Sequence, residues 1–154
     1  MRISEFLCAD AVIADLRGAS PAEVLAELCR PLAREGLDAK QLLEILMRRE
    51  RLGSTGVGDG FAIPHGTYGG PSRFLASFGR SRRGIEFNAL DGKPTRFFFA
   101  LFVSQSSAGP HLQALARVSR IFMNPAFREA VLDAHAAADI YRLILEADAR
   151  VDAG

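Results

Sequence analysis

The chain is poor in cysteine, nearly balanced in charge, and without a long hydrophobic run. Its two cysteines, Cys8 and Cys29, lie far apart and form no C-x-x-C pair, which excludes a disulfide framework and a zinc-ligand spacing. A reducing cytoplasm is the expected compartment. The opening Met1-Arg2-Ile3-Ser4-Glu5-Phe6 carries no long apolar stretch, and no later run approaches membrane-spanning length, so no direct membrane insertion is expected. A formal net charge of +1 and a pI near 7.9 give no general case for nucleic acid as a partner. Nucleotide loops fit poorly as well: G-x-x-x-x-G-K-[ST] fails for want of a lysine, and G-x-G-x-x-G does not occur in register. No cofactor and no metal are expected. With no repeat, low-complexity tract or linker, and 49% hydrophobic content over 154 residues, one domain spanning 1–154 is expected.

What is present reads as alternating helices and strands. Val12-Ile13-Ala14-Asp15-Leu16 has the composition of a short strand. Ser20-Pro21-Ala22-Glu23 combines a capping serine, proline at the first helical position and glutamate three residues on, a strong helix start. Val24, Leu25, Leu28 and Leu32 follow at helical spacing toward Gly36, with Pro31 ending or kinking the last turn. Asp38 opens a second helix that carries Leu42, Leu43, Ile45, Leu46 and Met47 toward Arg49 near its C-terminal end. Strands are expected at about residues 61–64, 73–79 and 96–103, the last an apolar run from Phe97 to Val103 that suits a strand covered on both faces. Between the last two, Arg80-Ser81-Arg82-Arg83 reads as a solvated basic turn, with a docking patch as the alternative. Ser107 to His111 starts another helix, Asn124-Pro125 caps a further one, and a last helix is expected from about Ala138 to Ala147. The expected fold class is α/β, a mixed sheet of about five strands with helices on both faces.

The most informative stretch is Gly60-Phe61-Ala62-Ile63-Pro64-His65-Gly66, which follows a glycine-rich loop and ends an expected strand on a histidine. Pro64 restricts its own φ and Gly66 frees the next peptide, so the imidazole is presented at the strand end. Only histidine titrates unperturbed near neutral pH, which suits a nucleophile; the plain alternative is a turn histidine without a task. The loop Gly53-Ser54-Thr55-Gly56-Val57-Gly58-Asp59-Gly60 exposes amides that can cradle an anion, with Arg48, Arg49 and Arg51 supplying cations; its plain alternative is a flexible turn.

The pattern Arg49-Glu50-x-x-Gly53-Ser54-Thr55-Gly56-x-Gly58-x-Gly60-x-Ala62-Ile63-Pro64-His65-Gly66 resembles the active-site segment of the enzyme IIA fructose/mannitol/nitrogen family, phosphocarriers of the bacterial phosphotransferase system. The similarity continues through Gly84 to Pro94, Phe98 to Val103, and His111-Leu112-x-x-Leu115-Ala116, and so spans nearly the whole chain. Phe61, the stretch Thr67-Tyr68-Gly69-Gly70 and Arg96 depart from the family's usual residues and bear on partner preference.

The resemblance implies that His65 accepts a phosphoryl group from a phosphohistidine of a small HPr-like carrier, with His111 and Arg49 stabilising that group. It also implies a single α/β domain, and an acceptor that is either a set of regulated target proteins or an enzyme IIB. A nitrogen-type regulator is the leading reading within the family, beside a sugar-specific enzyme IIA. From other classes stand a degenerate binding module that no longer transfers phosphate, and a nucleic-acid role resting on the arginine clusters alone. Which nitrogen of His65 takes the phosphoryl group stays open here. His135 matches no motif and is assigned no role.

Overall fold

The computed structural model describes residues 1–33, 37–69, 74–105 and 108–153. Along the chain run β1 (Leu7–Ile13), α1 (Pro21–Cys29), α2 (Ala39–Arg51), β2 (Gly56–Gly58), β3 (Phe61–Ala62), β4 (His65–Tyr68), β5 (Phe74–Ile85), β6 (Thr95–Ser104), α3 (Ala108–Phe122), α4 (Pro125–Asp133) and α5 (Ala137–Ala153). The sheet has six strands rather than about five, in the order β1-β5-β6-β3-β2, with β4 also paired to β6. It is mixed: β1 runs parallel to β5, β5 antiparallel to β6, and β3 and β4 both parallel to β6.

Local chemistry explains the helix starts. Ser20 accepts from the Glu23 amide at 3.3 Å while the Glu23 carboxylate reaches back to the Ala19 amide at 3.1 Å, so the reciprocal cap closes one residue upstream of the serine. Asp38 and Asn124 cap α2 and α4 through the amides of Lys40 and Ala126, both at 3.0 Å. Pro31 ends α1 as its pattern predicts, and a 3-10 turn at Arg30–Leu32 follows. The expected start at Ser107, and Gly36, lie outside the described residues.

Successive β5 side chains point to opposite faces, and they find helices on both. Ser77 donates to the Leu28 carbonyl of α1 at 2.7 Å, whereas Phe78 stacks on Phe122 of α3 at 5.5 Å between centroids. Every residue from Phe97 to Ser104 of β6 is buried, as expected of a central strand. One hydrophobic cluster joins β1, both helix layers and the sheet. Among the described residues no helix is long and apolar enough to cross a membrane.

Three strand expectations are corrected. The first strand begins at Leu7 and not near residue 12; its exposed Cys8, Ala9 and Asp10 hide it from a hydrophobicity reading. The strand expected at 61–64 is two strands, β3 and β4, interrupted at Ile63-Pro64, because proline offers no amide to the ladder. His65 therefore opens β4 instead of closing a strand. The tract Arg80-Ser81-Arg82-Arg83 is no solvated turn: it lies inside β5, and Arg80 is fully buried.

Candidate functional site

The break between β3 and β4 sets the orientation of His65. Pro64, unable to donate, accepts from the Leu101 amide at 2.9 Å, and His65 then pairs in register with Leu101. His65 Nδ1 lies 2.7 Å from the Ile63 carbonyl oxygen. A carbonyl can only accept, so in neutral His65 Nδ1 carries the proton and Nε2 keeps the free lone pair. The bond thus fixes the tautomer of the neutral ring and leaves Nε2 as its acceptor atom.

Three elements converge on this ring. His111, in the first turn of α3, stands edge-on to it, with ring centroids 5.5 Å apart and planes at 70°. Its Nε2 is buried and has no hydrogen-bond partner among the described residues. The helix α2 also approaches closely, because a Cβ on Gly66 would lie 2.3 Å from Ile45 Cγ2; only glycine admits that contact. The close approach carries the last turn of α2 to the site, where Arg49 Nη1 donates to the Gly53 carbonyl at 2.8 Å. A cleft of about 320 Å3 results, lined among others by Arg48, Arg49, Leu52, His65, Thr67 and His111. The sequence-selected trio is thus brought together, while His135 is exposed between α4 and α5 and stays apart.

Four amides of the glycine-rich loop are already engaged and not free for an anion. Those of Gly53, Thr55, Gly56 and Asp59 are bonded to Glu50, Glu50, Ser54 and Asp91 respectively, and Gly56 and Gly58 pair with β3. The loop is a braced support, with the cations of α2 beside it. Sequence reasoning quoted Glu50 in the motif but gave it no role; its carboxylate takes both the amide and the hydroxyl of Thr55. The same reasoning passed over Leu52, 83% exposed at the cleft rim. Phe61, read as bearing on partner choice, is 2% exposed and stacks on Phe122 at 4.5 Å, so its size serves the core. Arg96 donates to the Arg82 carbonyl at 2.7 Å.

Both histidines are held toward the neutral form. Burial pushes the His65 pKa below its ordinary value; the Ile63 bond opposes this, Arg49 pushes it further down, and Glu50 opposes again. Burial and the neighbouring His65 lower that of His111. A depressed pKa means that the nucleophilic form persists into mild acid. An NMR titration of the unmodified protein is expected to give His65 a midpoint below that of free imidazole, about 6.5; a midpoint at or above that value would contradict the burial account. Among the described residues no group of three or more His, Cys, Asp or Glu is placed to hold a metal.

Residues 5–147 match the family model described as phosphoenolpyruvate-dependent sugar phosphotransferase system, EIIA 2. A nitrogen regulatory protein of Bradyrhizobium diazoefficiens is 34% identical over 122 residues, covering 79% of this chain and 80% of that protein. A fructose-specific EIIA component of the same system from Haloferax volcanii is 35% identical over 109 residues, 71% of each chain. The crystal structure of nitrogen regulatory protein IIA-Ntr from Neisseria meningitidis superposes with a TM-score of 0.87 at 33% identity, covering 92% of this chain and 98% of that one. Together with the shared α/β architecture, these matches lead to one conclusion: the chain belongs to the EIIA 2 family of the phosphoenolpyruvate-dependent sugar phosphotransferase system.

Proposed function

We propose that the chain is a phosphocarrier whose His65 Nε2 accepts a phosphoryl group from a phosphohistidine of an HPr-like carrier and later gives it up, in a nitrogen-type regulatory role. The observation that carries this reading is the His65 ring itself, held through Nδ1 by the Ile63 carbonyl beside the unpartnered His111 Nε2. In the transfer the Nε2 lone pair forms the new N–P bond as the donor's N–P bond breaks, and the donor nitrogen recovers its pair. No proton need leave His65, since Nδ1 keeps its own. The loose transition state spreads charge over the equatorial oxygens, so catalysis is positioning and electrostatic support. The first turn of α3 favours that charge at its positive end, where His111 sits, and Arg49 adds a cation in the same cleft.

The regulatory role is supported by similarity to the nitrogen regulatory proteins over most of the chain. The Haloferax volcanii relative supports a second reading, a sugar-specific enzyme IIA that passes phosphate to an enzyme IIB. Label moving from the phosphorylated chain to a purified fructose-type enzyme IIB would favour that second reading.

Transfer kinetics test the proposed roles. Phosphoenolpyruvate, enzyme I and an HPr-like carrier supply the phosphoryl group, and the labelling rate is followed. Removing Arg49 costs one charged hydrogen bond, about 1.5 to 3 kcal/mol, or roughly one to two decades in rate. Lysine at position 49 restores only part, because a point charge lacks the guanidinium fork. His111→Ala slows labelling without abolishing it. Equal small losses on replacing Arg48, Arg49 and Arg51 one at a time would indicate diffuse steering and remove the specific role of Arg49.

A further inference from the structure

Ile63 sits in the gap between β3 and β4, where the ladder with β6 is interrupted. Its amide reaches Thr55 instead, donating to the Thr55 carbonyl at 3.1 Å, and its own carbonyl takes the His65 Nδ1 proton at 2.7 Å. The orientation of the Ile63 peptides therefore depends on where Thr55 is held. Thr55, only 7% exposed, is held by Glu50: one carboxylate oxygen accepts from its amide at 3.1 Å and the other from its hydroxyl. A carboxylate is acceptor-only at both oxygens, so it takes two donors from one residue. Because Glu50 belongs to the last turn of α2, the chain of bonds runs from α2 through the loop to the imidazole.

We propose that Glu50 is a positioning residue for phosphoryl transfer: by clamping Thr55 it sets the Ile63 carbonyl that keeps the proton on His65 Nδ1, and so commits Nε2 to the phosphoryl group. This rests on the reading of His65 as the acceptor. Glu50 is not hydrogen-bonded to the imidazole and acts through two intervening residues. Its charge has a separate effect, opposing Arg49 in the titration of His65. Geometry and charge are separable by Glu50→Gln. Glutamine still accepts from the Thr55 amide and turns its own N–H toward the hydroxyl, whose oxygen accepts. That variant keeps the clamp and loses the charge.

The test reads the His65 ring nitrogens by 15N NMR in the unphosphorylated full chain, for wild type, Glu50→Ala, Glu50→Gln, Thr55→Val and Thr55→Ser. In wild type, Glu50→Gln and Thr55→Ser the proton stays on Nδ1, with the titration midpoint of Glu50→Gln displaced downward. In Glu50→Ala and Thr55→Val the Nε2–H tautomer rises several-fold, and transfer from the phosphorylated carrier slows roughly ten- to a hundredfold. Should Glu50→Ala not fold, Thr55→Val against Thr55→Ser carries the comparison. A folded Glu50→Ala or Thr55→Val with the wild-type tautomer overturns the proposal, as does a Glu50→Gln that loses transfer as fully as Glu50→Ala with its tautomer intact. The tautomer readout needs no phosphate. A wild type that takes none therefore sinks the phosphocarrier reading alone, while the chain of control from Glu50 to His65 is judged by the spectra.

Discussion

The His65→Ala variant is expected to take no phosphate from phosphoenolpyruvate, enzyme I and an HPr-like carrier, while melting close to the wild type. His111 is the only other imidazole in the cleft, and it does not substitute. Its Nε2 is buried, in the first turn of α3, and so is not exposed to a donor phosphohistidine. The loss is therefore complete and not partial. The fold tolerates the change because His65 is half-buried and, among the described residues, its side chain bonds the Ile63 carbonyl, a net cost of about 0.5 to 1.5 kcal/mol. Full loss of labelling with an unchanged circular dichroism spectrum is the expected pair of results. Label reappearing on His111 in this variant would show the two rings to be interchangeable and contradict the assigned roles.

The largest effect on stability is expected at Arg80. Its side chain is fully buried, and its guanidinium donates to the Ala14 and Val131 carbonyls at 2.9 Å each, and to those of Leu132 and Ala134. These are the carbonyls that end α4 and the one that follows β1, so a single cation caps a helix and ties a loop across the sheet. The cation lies at the negative end of α4, where the helix dipole favours it. Asp15, 3.7 Å away, is 69% exposed and contributes little beside the carbonyls. Arg80→Met fills much of the volume yet takes this donor from the carbonyls of Ala14, Val131 and Leu132, while that of Ala134 keeps Arg82 at 2.9 Å. Each buried acceptor left unsatisfied costs about 1 to 3 kcal/mol, which in sum is a large share of the ~5 to 15 kcal/mol that holds a domain together. Urea denaturation is expected to show the midpoint falling accordingly, with the slope unchanged. Arg80→Lys recovers part of it. A loss below about 1 kcal/mol for Arg80→Met would mean that water replaces the guanidinium at those carbonyls.

Arg80 also shows where sequence reasoning stops. A run of arginines between apolar stretches reads as a turn, because charge normally seeks water. The carbonyls that repay its burial belong to α4, far along the chain, and no local window contains them. Gly56 and Gly58 read as loop for a similar reason: glycine is a weak strand former, yet here β2 pairs with β3 and braces the site. In contrast Ser20, Asp38 and Asn124 announced their helices, since a cap is made by residues within one turn. The apolar run from Phe97 to Val103 announced β6, because burial on both faces leaves a continuous signature. The meeting of His65 with His111 was legible only through the family resemblance; composition offers no reason to pair two distant histidines. Arg49 was singled out in the same way. Glu50 was given no role because a glutamate at a helix end looks like an ordinary solvated charge until its two donors on Thr55 are seen.

The most direct measurement is the site and nitrogen of attachment in the phosphorylated wild-type chain. The protein is labelled through phosphoenolpyruvate, enzyme I and an HPr-like carrier, mapped by mass spectrometry under mildly basic conditions, and its linkage is read by 31P NMR. The free lone pair on Nε2, left by the Nδ1 bond to Ile63, predicts one phosphoryl group per chain, on His65, at Nε2, labile in acid and stable in base. A chain that takes no phosphate, takes it on His111 or His135, or carries it on Nδ1 of His65 would contradict the account.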